Sequence, residues 1–450
     1  MADNLLEKAS ILLTPTAYND GRMLSVKPNE NLYGSELVTN GDFSNGLADW
    51  VVDDGTSWTN VNNTAFCDGN NGLIKQNITS AQNKIYKVTF DTIATNSSGK
   101  ELGVRIDGGT YSWNLYPTGT HTIYLTAGSA NSEGVLFYAI NGWTGSIDNI
   151  SVVEDLSGDF TFSRGSAATR VNEQGLVEEI TDINLPRIDY TDGCGSWLLE
   201  PQSTNLYLNS DTLVTQSNAT SASTYTVSFY GTGTITFSGT HTGTLVGTGV
   251  NDRVSVTFTA TSGTLTSTIS GTCTKGQLEN LSYATSYIPT NGAIATRLAD
   301  VANNSGNASL INSTEGVLYA EIAALENGSS IKIIELNDGT SSNRVFVYLR
   351  NDRITYEVKS NGITSAGGTY DNLGVLNFHK IAVKWKDNDF ALWLDGAKVL
   401  SDTSGSSPLA LDRINFTDPF GGIPFYGKCK ALAVYKEALT DAELQSLTTI

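Results

Sequence analysis

The stretch His379–Leu400, HKIAVKWKDNDFALWLDGAKVL, alternates apolar and polar residues in two runs joined by a polar turn. A second turn, Asp395-Gly396, leads into a third short run. Strict alternation is the signature of a half-buried strand, and Asp-Gly between two such runs is a strong hairpin signal. Working outward, Gly316–Ile322, Ile331–Leu336, Arg344–Arg350 and Arg353–Val358 show the same period. The chain closes on LAVYKEALTDAELQSLTTI, in which Thr440 and Glu443 have the spacing of a capping box for a short terminal helix. Residues 303–450 therefore read as one antiparallel β-sandwich.

Totals support that class for the whole chain. Across 450 residues there are 44 Gly and only 9 Pro, and 39% of residues are apolar, distributed in short runs. This length exceeds one core, and the composition fits an all-β, multidomain chain of antiparallel β-sandwiches. The formal charge is −19. Such a surface repels phosphate backbones, and no basic cluster relieves it, so nucleic acid is not an expected partner. Cys67, Cys194, Cys273 and Cys429 are far apart in sequence and read as free thiols. MADNLLEKAS lacks the basic and apolar regions of a secretory signal, and no 18-residue apolar run predicts a membrane span.

The expected order of parts is as follows. Residues 1–35, with Leu5, Leu6 and Ile11–Leu13 among turn formers, read as an arm too short to make a core. Residues 36–155 form a first sandwich, opened by ELVTNGDF (Glu36–Phe43) with Trp50 and closed by SIDNISV (Ser146–Val152). Residues 156–302 hold two turn-rich connector segments, Phe160–Leu206 and Gln277–Asp300. They enclose a Ser/Thr-rich sandwich of five or six strands at about 206–276. Arg164, Arg170 and Arg187 in the first connector have Asp159, Glu178, Glu179 and Asp189 as sequence neighbours, which predicts local ion pairs.

Three resemblances add to these readings. The connector segments resemble those of tail-fibre, spike and other appendage proteins of tailed bacteriophages. The first sandwich, from its opening and closing motifs, resembles carbohydrate-binding modules of the family 4/9/22 jelly-roll type. The last is similar to the laminin-G/concanavalin-like jelly roll, through His379–Trp385, Leu392–Val399 and Val434–Leu444. Together they imply a virion protein made in the host cytoplasm and shown on the particle exterior as a tail or head fibre. It would be anchored to other virion proteins through residues 1–35, assembled as a homotrimer, and adhere to host glycans. They also place a structural Ca²⁺ near Asp42 and Asp148; the competing reading is that these residues cap turns.

Sugar recognition needs flat aromatic faces with polar groups nearby. Trp58, Trp113 and Trp143 occur among Asn, Asp and Ser and are the candidate carbohydrate-binding residues, against the competing reading of structural tryptophans. Trp50 reads as core. Chemistry is harder to build. His121, His241 and His379 lie in different modules, and no metalloprotease or phosphate-loop motif occurs. A concanavalin-like retaining glycosidase would carry Glu-x-Asp-x-x-Glu, and the last sandwich does not. Glu335 and Asp338, three apart, would point to opposite faces of a strand. The expectation is a non-enzymatic adhesin, with an architectural capsid decoration or a polysaccharide depolymerase as alternatives.

Overall fold

The computed structural model describes residues 3–26, 32–53, 55–82, 84–96, 101–129 and 132–450. The chain divides into two compact units, Asn29–Ser157 and the combination of Met1–Pro28 with Gly158–Ile450.

Asn29–Ser157 is a sandwich of two five-stranded antiparallel sheets. One sheet runs Gly119–Thr126, Ile85–Asn96, Thr144–Glu154, Thr64–Asp68, Trp58–Val61. The other runs Val51–Val52, Gly72–Gln76, Val135–Ala139, Leu102–Ile106, Ser112–Asn114. Alternate residues of both sheets, with Phe43, Trp50, Trp58 and Trp143, fill one core. The opening motif lies against the closing strand. The Leu37 amide donates to the Val152 carbonyl at 2.9 Å, and the Ile150 amide to the Gly41 carbonyl at 2.9 Å. A β-carbon at position 41 would stand 2.0 Å from the Ile150 carbonyl oxygen, so only glycine fits there. The Asn40 side-chain amide donates to the carbonyls of Gly46 (3.0 Å) and Ala48 (2.7 Å), while Trp50 Nε1 donates to the Asn40 carbonyl at 3.0 Å. Asn-Gly-Asp-Phe is thus a folded corner that fixes where the first strand begins.

In the second unit an 11-stranded sheet faces a five-stranded one. The smaller sheet runs Ile363–Asp371, Arg353–Ser360, Arg344–Arg350, Lys332–Asn337, Arg413–Asn415. Their shared core includes Leu318, Ile334, Val345, Val383, Trp385 and Leu392. The Asp395-Gly396 turn has positive φ at both residues, 48° and 83°, as its hairpin requires. The terminal helix Asp441–Thr448 carries the full capping box, with Thr440 and Glu443 bonded reciprocally.

The expectation of an N-terminal arm is corrected here. Ala9–Asn19 is a strand inside the large sheet, paired antiparallel with Gly427–Tyr435, and Arg22–Ser25 pairs beside it. Ile11 and Leu13 enter the sandwich core, whereas Leu5, Ala9 and Leu12 pack on the other side with Tyr319, Trp393 and Leu444. The Ile-Leu-Leu run is apolar on both faces because both faces are covered.

The connectors also belong to this unit. Phe160–Ser163 and Ser196–Leu199 are strands of the large sheet. The enclosed module has seven strands, two more than the lower expectation: a four-stranded sheet facing a three-stranded one around Tyr207, Val227, Phe229, Ile235 and Leu265. Arg170 pairs locally with Glu178 at 2.9 Å. Arg164 and Arg187 do not pair locally. Both reach Asp300, at 3.0 and 2.5 Å, and Arg187 also meets Glu200 at 2.8 Å. Arg297, from the second Ala-Thr-Arg, lies 3.5 Å from Glu200. Asp159 takes Arg22 instead, at 3.2 Å, and Asp189 accepts the amides of Val171 and Thr191. The Arg164, Arg187, Glu200, Arg297 and Asp300 side chains are at most 3% exposed. Burial pushes the Glu200 carboxyl up, but Arg297 and Arg187 outweigh it and hold it at about 2. The two connector segments are thereby tied together by charge.

Candidate functional site

The second sheet of Asn29–Ser157 turns one face away from its core. Along Leu102–Ile106 the core takes Leu102, Val104 and Ile106, leaving Gly103 and Arg105 on the opposite face. Along Val135–Ala139 it takes Val135, Phe137 and Ala139, leaving Leu136 and Tyr138. Register puts Tyr138 opposite both Leu73 and Gly103, and Gly103 opposite Trp113. A β-carbon on Gly103 would meet the Trp113 ring at 2.5 Å, so the indole lies directly on the glycine backbone. Tyr111, two residues before Trp113, joins it: ring centroids are 4.9 Å apart for Tyr111–Trp113, 6.0 Å for Trp113–Tyr138 and 6.2 Å for Tyr111–Tyr138. Trp113 is 40% exposed.

The neighbouring row of the same face holds Lys75, Leu136 and Arg105. The Arg105 guanidinium sits 4.5 Å from the Tyr111 ring centroid and donates to Glu133 at 2.5 Å. Lys75 pairs with Asp53 at 2.9 Å. Burial raises the Tyr111 phenol, with Arg105 opposing, so its hydroxyl stays protonated through the neutral range. The result is a three-ring apolar platform bordered by paired charges. Such a surface can stack the apolar side of a pyranose while side-chain donors and acceptors meet its hydroxyls.

Two of the three candidate tryptophans are elsewhere. Trp58 and Trp143 are 2% and 0% exposed and face each other across 5.8 Å in the sandwich core. The Trp58 Nε1–H is satisfied inside, donating to the Gly72 carbonyl at 3.1 Å. Neither can receive a sugar. Their polar sequence neighbours belong to the turns at the strand ends, while the rings point inward.

Asp42 accepts from the Ser44 amide (3.2 Å) and hydroxyl (2.9 Å), and that amide bond heads the causes that lower its carboxyl. Asp148 accepts from the Asn149 amide at 2.8 Å, and burial together with Asp91 and Asp42 raises it. Asp91 is bonded to Thr120 and Asn149. Among the described residues no group of three or more His, Cys, Asp or Glu is placed to hold a metal ion. Asp42 and Asp148 each accept from a neighbouring backbone amide.

Each histidine is engaged within its own module. His379 Nδ1 bonds Asp395 at 2.6 Å, His121 Nε2 bonds Thr92 and Pro117, and His241 stacks on Phe258 at 3.9 Å. Asp338 caps its own turn through Thr340 and Asn343. No disulfide links the four cysteines.

No family model and no curated protein sequence matches this chain. Among solved structures, it is similar to the CBM40 domain of the Ruminococcus gnavus IT-sialidase bound to α2,3-sialyllactose. That match has 15% identity and a TM-score of 0.28, covering 33% of this chain and 94% of that one. The leech intramolecular trans-sialidase matches at 15% identity and TM-score 0.28, over 33% of this chain and 26% of its own. The receptor-binding domain of botulinum neurotoxin mosaic serotype C/D matches at 13% identity and TM-score 0.26, over 33% and 39%.

Proposed function

We propose that this protein is a non-enzymatic glycan-binding protein displayed on the particle of a tailed phage, with the Tyr111–Trp113–Tyr138 face as its sugar platform. The observation that carries the binding assignment is the indole of Trp113, left open to solvent while seated on Gly103 and flanked by two tyrosines. A large aromatic group held rigidly at a surface loses little conformational entropy when it binds. The virion assignment is supported by the connector segments at 160–206 and 277–300. Single sites of this kind are weak, and display in many copies on one particle would multiply them by avidity.

Binding of the full chain to an array of bacterial surface glycans tests the reading. Trp113→Ala is expected to weaken the selected glycan by about tenfold or more, the size of loss seen at aromatic hot spots. An array with no binder, or unchanged binding by the variant, would favour a purely architectural role.

A further inference from the structure

The unit containing the last sandwich holds a groove of about 610 Å³, within the usual range of small-molecule sites. Several segments of chain build it. Tyr283 comes from the second connector, Ile331 from just before the strand Lys332–Asn337, Arg350 from the end of its neighbour Arg344–Arg350, and Pro424 and Tyr426 from the loop before the last strand. That loop is pinned: Thr417 bridges Pro424, and the Ile423 amide donates to the Asp418 carboxylate at 2.6 Å. The opposite wall is fixed too. Glu326 accepts from the Ser282 hydroxyl at 2.5 Å and pairs with Lys332 at 3.2 Å, and Lys332 also donates to the Ser330 carbonyl.

Charge sets the preference of this groove. Lys332 and Glu326 neutralise each other. Arg350 is exposed and, among the described residues, has no acidic partner, in a chain with 46 acidic side chains to 27 Lys and Arg. The Tyr283 and Tyr426 hydroxyls likewise have no hydrogen-bond partner among the described residues. The groove thus offers two phenols, an apolar wall and one free guanidinium, whose planar fork matches a carboxylate in two parallel hydrogen bonds.

We propose that this groove is a second glycan site, specific for a sugar bearing a carboxylate, which Arg350 binds while Tyr283 and Tyr426 contact the ring. It goes beyond the aromatic platform and does not depend on it.

The test is calorimetric titration of the full chain with an oligosaccharide ending in glucuronic acid, against the same oligosaccharide ending in glucose. The acidic ligand is expected to bind about tenfold more tightly, and less so as salt screens the charge. Arg350→Gln should remove that advantage without changing the melting temperature, because the side chain is exposed. Arg350→Lys should restore only part of it, and Trp113→Ala should leave it intact. Absence of acidic-sugar binding, equal binding of the two oligosaccharides, or an unaffected Arg350→Gln would overturn the proposal. Loss in Trp113→Ala would instead assign the acidic ligand to the aromatic face.

Discussion

Each compact unit has a five-stranded sheet with one face outside its core, and the two faces are built oppositely. In Asn29–Ser157 the outer face exposes rings. Its charges pair one to one at partial exposure, as Arg105 and Glu133 do at 23% and 38%. On the sheet containing Arg344–Arg350 the charges lie deeper. Glu335 is fully buried, its carboxylate 3.6 Å from Arg344. Burial is the main reason its carboxyl rises to about 8, opposed by Arg344 and assisted by Asp418 and Glu357. An open aromatic face remains available to a ligand, whereas a buried charge is committed to the fold. Substituting the open rings should therefore spare stability, whereas substituting a buried charge such as Glu335 should change it.

The largest effects should come from groups fully inside. Trp58→Ala is expected to destabilise Asn29–Ser157 by about 3–5 kcal/mol, as large core truncations do. Trp113→Ala, by contrast, should leave the melting temperature nearly unchanged. Similar melting curves for the two variants would erase the distinction between core and platform. Asp300→Asn should cost about 3–5 kcal/mol in the other unit, because Arg164 and Arg187 would lose the anion they share. Denaturant unfolding measures this, and a loss below about 1 kcal/mol would reduce the connector network to surface-like pairing.

A further effect lies in pH dependence. Glu200, held at about 2 against an ordinary 4.5, stabilises the fold above pH 4.5 and loses that contribution as pH falls toward 2. Glu335 works in the opposite direction. With its folded value raised to about 8, its contribution is complete below pH 4.5 and is lost as pH rises through about 8. The slope between those values is at most about 1.4 kcal/mol per pH unit. Glu335→Gln should therefore flatten the stability profile between pH 5 and 8, measured by denaturant unfolding at several pH values. An unchanged slope would place the titration elsewhere.

Much of the fold was legible because its signals are local. Alternation in His379–Trp385, the Asp395-Gly396 turn and the Thr440–Glu443 cap each specify structure within a few residues. The N-terminal strand was not legible, since Ser10 meets Val434 across 424 residues and no short-range pattern reports that pairing. The same holds for Arg164 and Arg187, whose acid arrives more than a hundred residues later. At the site, Trp113 was found by composition. Tyr111 was available from its i, i+2 spacing, and Gly103 from its position inside an alternating run. Tyr138 required strand register. Trp58 and Trp143 misled because their polar neighbours describe the turns and not the direction of the rings.

The most direct measurement follows the tryptophan indole N–H resonances of the full chain as a glycan selected on the array is added. The Trp113 resonance is expected to shift with saturation while those of Trp58 and Trp143, enclosed in the core, stay in place. Saturable glycan binding that leaves the Trp113 resonance unmoved would contradict the platform assignment.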